Sequence, residues 1–149
     1  MFKAGRFNKQ AAQSIPAGGS DYLQWTVDTF SAENYNPDAW PILTTAPYSV
    51  QLPCGFEWIE ASLVLRFTDE VDGAFDLSLS LGVPGMSAQY GRPLARDLYS
   101  ARYPQGGFVL PPVLYPNPGR APRAINAFLE NIGGTKAVYF EAALQIKAW

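Results

Sequence analysis

Residues 58–83, WIEASLVLRFTDEVDGAFDLSLSLGV, decide the fold class. Ile59, Ala61, Leu63, Leu65 and Phe67 fall on one side of an extended chain, and Trp58, Glu60, Ser62, Val64 and Arg66 on the other. Six residues later the alternation resumes, with Phe75, Leu77, Leu79, Leu81 and Val83 set against Asp76, Ser78, Ser80 and Gly82. Side chains two apart share a face only in a strand, so both runs read as half-buried strands with a wet outer face. The acidic link TDEVDG at 68–73 ends in Asp-Gly, which predicts a hairpin joining them.

The same period extends outward from this stretch. Val138, Phe140, Ala142, Leu144, Ile146 and Ala148 alternate with Tyr139, Glu141, Gln145, Lys147 and Trp149. A strand reaching the last residue belongs inside a sheet, where its end is held. Leu23, Trp25 and Val27 alternate with Tyr22, Gln24, Thr26 and Asp28, and Tyr48, Val50 and Leu52 form a short strand stopped by Pro53. Residues 124–132 fit either period. A strand is favoured, because Asn131-Ile132-Gly133-Gly134-Thr135 then turns the chain into the last strand. Residues 93–102 suit a short helix, with Pro93 near its first position and Leu94/Leu98 and Ala95/Tyr99 four apart. Residues 103–123 hold six prolines and read as a long ordered loop. The first 19 residues alternate little and suit an arm on a neighbouring subunit, a first strand or a disordered end. Many short strands joined by Gly/Pro turns make a β-sandwich or a small barrel. Greek-key or jelly-roll topology would manage the edges.

Composition narrows the function. The chain has 149 residues, 48% hydrophobic and only 16% charged, against a usual ~25% charged, so one domain with a sizeable core is expected. The net charge of −2 supplies no global attraction for nucleic acid, which is not expected as a partner. The N-terminus lacks an apolar signal-peptide segment, and no apolar run is long enough for a membrane helix. Synthesis in the cytoplasm without membrane insertion is the expectation. The chain has no histidine, which excludes Ser-His-Asp and Cys-His catalysis and the commonest metal ligand. A single cysteine, Cys54, excludes an intrachain disulfide and a CxxC zinc site, and it reads as a small buried side chain. No cofactor, metal or enzymatic activity is expected. A carboxylate glycosidase remains an alternative if two acids face each other across a cleft, although Glu57 and Glu60 fall on opposite strand faces.

Three constellations offer binding chemistry. The turn acids Asp69, Glu70 and Asp72 offer clustered oxygens for calcium, but their spacing matches no complete loop motif and a solvated hairpin tip is the favoured reading. Trp25, Trp40 and Trp58 could line a sugar site, but core or subunit-contact positions are the favoured reading. The segment 90–123 holds Arg92, Arg96, Arg102, Arg120 and Arg123 against one acid, Asp97, a local charge of +4 that leaves −6 elsewhere. It also holds Tyr90, Tyr99, Tyr103, Phe108 and Tyr115. Arg and Tyr anchor interfaces, so Arg92, Arg96, Tyr99, Arg102, Tyr103, Phe108, Tyr115, Arg120 and Arg123 form a candidate interface.

A family resemblance accompanies these readings. Gln13-Ser14-Ile15-Pro16-Ala17-Gly18, Leu23-Gln24-Trp25 and Asp28-Thr29-Phe30 resemble the opening of C1q/TNF-like jelly-roll domains. Residues 48–59, YSVQLPCGFEWI, resemble that family's step into a central strand, and residues 131–135 and 143–146 are similar to its closing pattern. Residues 90–123 depart from it. Bacteriophage versions, found in head decorations, fibres and tail appendages, are the most similar in character. The resemblance implies an all-β, antiparallel jelly-roll sandwich of about ten strands. It would comprise an arm or first strand at 1–19 and a sandwich at 20–149 with a Pro/Arg/Tyr-rich loop at 90–123. It further implies a homotrimer in the virion that grips other virion proteins. A lectin-like module for a host receptor or surface glycan is the alternative.

Overall fold

A computed structural model describes residues 2–9, 13–27, 40–45, 48–69, 71–83, 92–100 and 107–149, with backbone alone for 92–100 and 108. Among these residues the chain forms twelve strands. They are β1 (Lys3–Lys9), β2 (Ser14–Ile15), β3 (Ser20–Tyr22), β4 (Trp25–Val27), β5 (Ile42–Leu43) and β6 (Ser49–Leu52). There follow β7 (Trp58–Phe67), β8 (Ala74–Gly82), β9 (Arg92–Ser100), β10 (Gly107–Pro116), β11 (Arg123–Ile132) and β12 (Val138–Ala148). Two antiparallel sheets face each other. Sheet I runs β10-β7-β12-β1-β4, with β2 also on β12. Sheet II runs β5-β6-β11-β8-β9, with β3 also on β11. This is a jelly-roll sandwich, with two strands beyond the ten implied by the resemblance.

The inward faces are those read from the alternation, except that Val83, just past the end of β8, and Val27, at the end of β4, are exposed. Leu63, Leu65, Phe67, Phe75, Leu77, Leu79, Leu129, Phe140 and Leu144 are all buried in one core with Phe7 and Trp40. Burying each such side chain contributes about 1.5–3 kcal/mol, against about 0.2–1 kcal/mol for a cross-strand pair on a wet face, so the inward set fixes the register. Trp40 packs on Phe7 and Phe56 at 6.5 and 6.1 Å between ring centroids. Gly5 is required beneath it, because a Cβ there would collide with the Trp40 ring. The outer face of β8 is less wet than expected, since Ser80 is buried beside half-buried Asp76 and Ser78.

Four sequence expectations are corrected. First, β7 and β8 are not a hairpin. β7 pairs with β10 and β12, and β8 with β11 and β9, so residues 68–73 arch from one sheet to the other. Alternation shows that each strand has a buried face but not that the two faces belong to one sheet. Here they oppose each other, with Phe67 and Phe75 4.6 Å apart. Second, the run around Trp25 is two strands, β3 in sheet II and β4 in sheet I. The buried Gln13 amide clamps the crossing, donating to the Tyr22 carbonyl at 2.6 Å and accepting from the Gln24 N–H at 2.9 Å. Third, residues 92–100 are a strand, not a helix. Fourth, residues 107–116 are a strand, not a loop. Both are the outermost strands of their sheets, and Pro93, Pro111 and Pro112 fall at register shifts, where a missing N–H is tolerated.

A buried asparagine braces each end of the sandwich. At one end Asn131 Nδ2 donates to the Pro16 and Lys136 carbonyls. At the other, Asn117 Nδ2 donates to the Phe56 and Ala121 carbonyls at 2.8 and 2.9 Å, and Asn117 Oδ1 accepts from Arg123 Nε at 2.7 Å. Replacing Asn117 strands these partners. Asn117→Ala is expected to lower unfolding free energy by about 2–3 kcal/mol in urea titrations, while outward-facing Asn8→Ala stays within about 0.5 kcal/mol.

Candidate interaction face

The outer face of sheet I follows from the outward half of the alternation, read across the strands. One cross-strand row is Val109, Val64 and Ala143, on β10, β7 and β12. Val109 is 68% exposed and Val64 51%, and Leu114 and Tyr139 are also exposed. Beside this row lies an open depression of about 790 Å³ lined by Arg6, Asn8, Arg66, Thr68, Tyr139 and Glu141, among others. Arg66 and Glu141 pair across it at 3.3 Å, but two-thirds exposure limits such a pair to about 1 kcal/mol or less. Lys9 reaches its floor. Its Nζ donates to the Gln13 carbonyl at 3.3 Å and lies 4.8 Å from the Phe140 ring centroid. Burial pushes the Lys9 pKa below its usual 10.5, with Glu141 pulling the other way.

A second row closes the opposite end of the same face. Pro116 is paired with Trp58, and Trp58 exchanges backbone hydrogen bonds with Trp149 at 2.8 and 3.0 Å. Phe2 meets Trp149 edge-on at 5.8 Å. All four are exposed. Trp58 also borders a groove of about 440 Å³ with Glu57, Asn117, Pro118, Gly119 and Arg120. The turn Pro118–Arg120 shapes it, with Gly119 at φ 70° and Arg120 at φ 50°. A left-handed conformation costs a non-glycine residue about 1–2 kcal/mol. The fold holds Arg120 there through its N–H to the Asn117 carbonyl at 3.1 Å and its carbonyl to the Gly55 N–H at 2.8 Å.

The residues singled out by charge do not gather in one patch. Arg92, Arg96 and Tyr99 lie along β9, at the margin of sheet II, and Phe108 lies on β10, at the margin of sheet I. Tyr90, Arg102 and Tyr103 lie outside the described residues. Tyr115 packs against the core, Arg123 braces Asn117, and Arg120 stands exposed 3.7 Å from Glu57. The apolar rows on sheet I were missed, although Trp58, Val64, Tyr139 and Trp149 stand at outward positions of otherwise polar strand faces.

Other candidates resolve by position. Trp25 and Trp40 are core residues, so of the three candidate sugar-site tryptophans only Trp58 faces solvent. Cys54 is exposed in a turn, contrary to its reading as buried, because Pro53 ends the strand just before it. Asp72 does not sit at a free hairpin tip. It accepts from the Thr135 N–H at 3.1 Å and from the Thr135 hydroxyl, tying the 68–73 arch to the turn before β12. Glu70 lies outside the described residues, and among those described no group of three metal-ligating side chains converges. No described helix is long and apolar enough to cross a membrane. The chemistry on display is therefore apolar contact flanked by paired charges.

No family model matches the chain, and no curated protein matches it in sequence. Solved structures match it in shape. The Eiger TNF from S. frugiperda superposes with a TM-score of 0.59 at 9% identity, covering 99% of this chain and 92% of that one. Murine APRIL gives 0.58 at 11% identity, over 97% and 98%. VP2 of an infectious bursal disease virus subviral particle gives 0.51 at 13% identity, over 97% of this chain but 32% of its own. At these identities the likeness establishes the fold, a TNF-type jelly roll that also occurs within a viral capsid protein.

The Asp72 contacts carry a pH signature. The Thr135 hydroxyl bond, first among the causes, holds the Asp72 pKa below 3.8. A depressed carboxylate stabilises the fold above its unfolded pKa, and that contribution is lost as pH falls through the folded value. Asp72→Asn should therefore show a shallower fall in melting temperature below pH 3.8 than wild type.

Proposed function

We propose that this chain is a non-enzymatic structural module of a virus particle, of the bacteriophage decoration, spike or fibre kind. It acts as a homotrimer and attaches to other virion proteins. The observation that carries the reading is the solvent-facing row Val109, Val64 and Ala143 on sheet I. Soluble domains cover such contiguous apolar strips by association, and identical subunits meeting around an axis do so with one surface. The jelly roll shared with a capsid protein supports the virion setting, and the absence of histidine from the sequence supports binding over catalysis. The arginines and tyrosine of β9, Arg92, Arg96 and Tyr99, are proposed to grip the neighbouring virion protein. Residues Arg102 and Tyr103 extend the same set in sequence. Receptor or glycan binding is a second reading, favoured by exposed Trp58.

Light scattering tests the proposal. Wild-type protein is expected at three times the 16.3 kDa chain mass, and Val64→Glu together with Val109→Glu at the mass of one folded chain. A wild-type monomer, or a trimer indifferent to both charges, would overturn it.

A further inference from the structure

We infer that the end of sheet I bearing Trp58 and Trp149 is a binding platform for a neutral, linear saccharide. The inference rests on the second reading above, glycan binding at Trp58, and not on the trimer. It rests on a row of ring side chains at one end of the face, whereas the proposed subunit contact centres on the Val109–Val64–Ala143 row toward the other end.

The row is built by the strand ladder. Pro116, Trp58, Trp149 and Phe2 sit on four successive strands or their immediate ends, and neighbouring strands lie about 4.8 Å apart. Ring side chains thus recur at intervals close to the size of a sugar ring over a strip about 14 Å long, with the Phe2 ring turned 67° from that of Trp149. A pyranose presents apolar C–H faces and a polar rim of hydroxyls. The strip presents the complement. The next outward row toward the centre of the face carries exposed Leu114 beside Glu60 and Lys147, the last two being cross-strand partners. At the Trp58 end stand Glu57 and Arg120, 3.7 Å apart and both well exposed. These four groups supply acceptors and donors beside the rings. Two acids and two bases also cancel, which favours an uncharged ligand over an acidic glycan or an anionic membrane.

The site is held in advance. Glu57 and Trp58 N–H groups both donate to the Trp149 carbonyl, and Trp149 N–H donates back to Trp58. Asn117 pins the turn that carries Arg120, and Arg120 keeps a left-handed backbone beside the groove. Strained non-glycine backbone of this kind concentrates at ligand-binding positions. The groove of about 440 Å³ falls in the range of small-molecule sites, with room for one terminal sugar against Trp58.

The full chain titrated with β-1,4-linked hexasaccharides of glucose, mannose and N-acetylglucosamine, each to millimolar concentration, tests this by NMR. At least one sugar is expected to shift the indole N–H signals of Trp58 and Trp149. Those of buried Trp25 and Trp40 should stay in place as internal controls. Trp58→Ala should weaken the responding sugar at least about tenfold, with unmoved Trp25 and Trp40 signals reporting an intact fold. Glu57→Gln, which keeps the fold and the rings, should weaken it several-fold. Silence from all three sugars would overturn the inference. So would shifts confined to the buried indoles, or undiminished binding by Trp58→Ala. A Trp58→Ala protein that dissociates into smaller assemblies would reassign the row to a subunit contact and overturn it too.

Discussion

Phe67 and Phe75 are only eight residues apart in sequence, yet they belong to opposite sheets and press their rings together at 4.6 Å. The fold depends on that confrontation. Because the arch at 68–73 carries the chain across the core, the inward faces of β7 and β8 bury each other's apolar side chains. Each strand is then free to take central partners. β7 lies between β10 and β12, and β8 between β9 and β11. The two long closing strands, β11 and β12, complete the sheets; Asp72 ties the arch to the turn before β12, and Asn131 braces that turn from within.

Commitment of the inward faces to the core leaves the outward faces of the sheets to solvent and to the proposed contacts. Sheet I bears two apolar rows separated by polar positions, including Glu60, Lys147, Ser62 and Gln145. Charged pairs on such a surface contribute little to stability. The Arg66–Glu141 and Arg120–Glu57 pairs flank apolar side chains. The proline-bearing strands β9 and β10 form opposing margins of the two sheets, where their missing N–H groups also discourage further strand addition.

Much of this was legible in the sequence, for identifiable reasons. Period-two alternation gave the inward residues of β7, β8 and β12, because burial on one face of a strand leaves no other pattern. It could not reveal which strands share a sheet, so the arch at 68–73 was read as a hairpin. The two long outer strands were hidden by prolines that normally mark loops, and only pairing with β8 and β7 shows that the prolines sit at register shifts. Composition drew attention to arginine-rich 90–123, whereas the apolar rows on sheet I are assembled from β7, β10, β12 and Phe2. Their members look incidental one strand at a time. Trp40 and Trp58 illustrate the same limit: nothing local separates the wholly buried ring from the exposed one.

Backbone NOE connectivity tests the crossed arrangement most directly. Two opposed sheets require cross-strand contacts between Leu63 and Leu144 in one sheet and between Leu77 and Leu129 in the other, with none between the backbones of β7 and β8. A ladder of amide and Hα contacts running directly from β7 to β8 would contradict it, because both strands would then lie in one sheet and the opposed core would not exist.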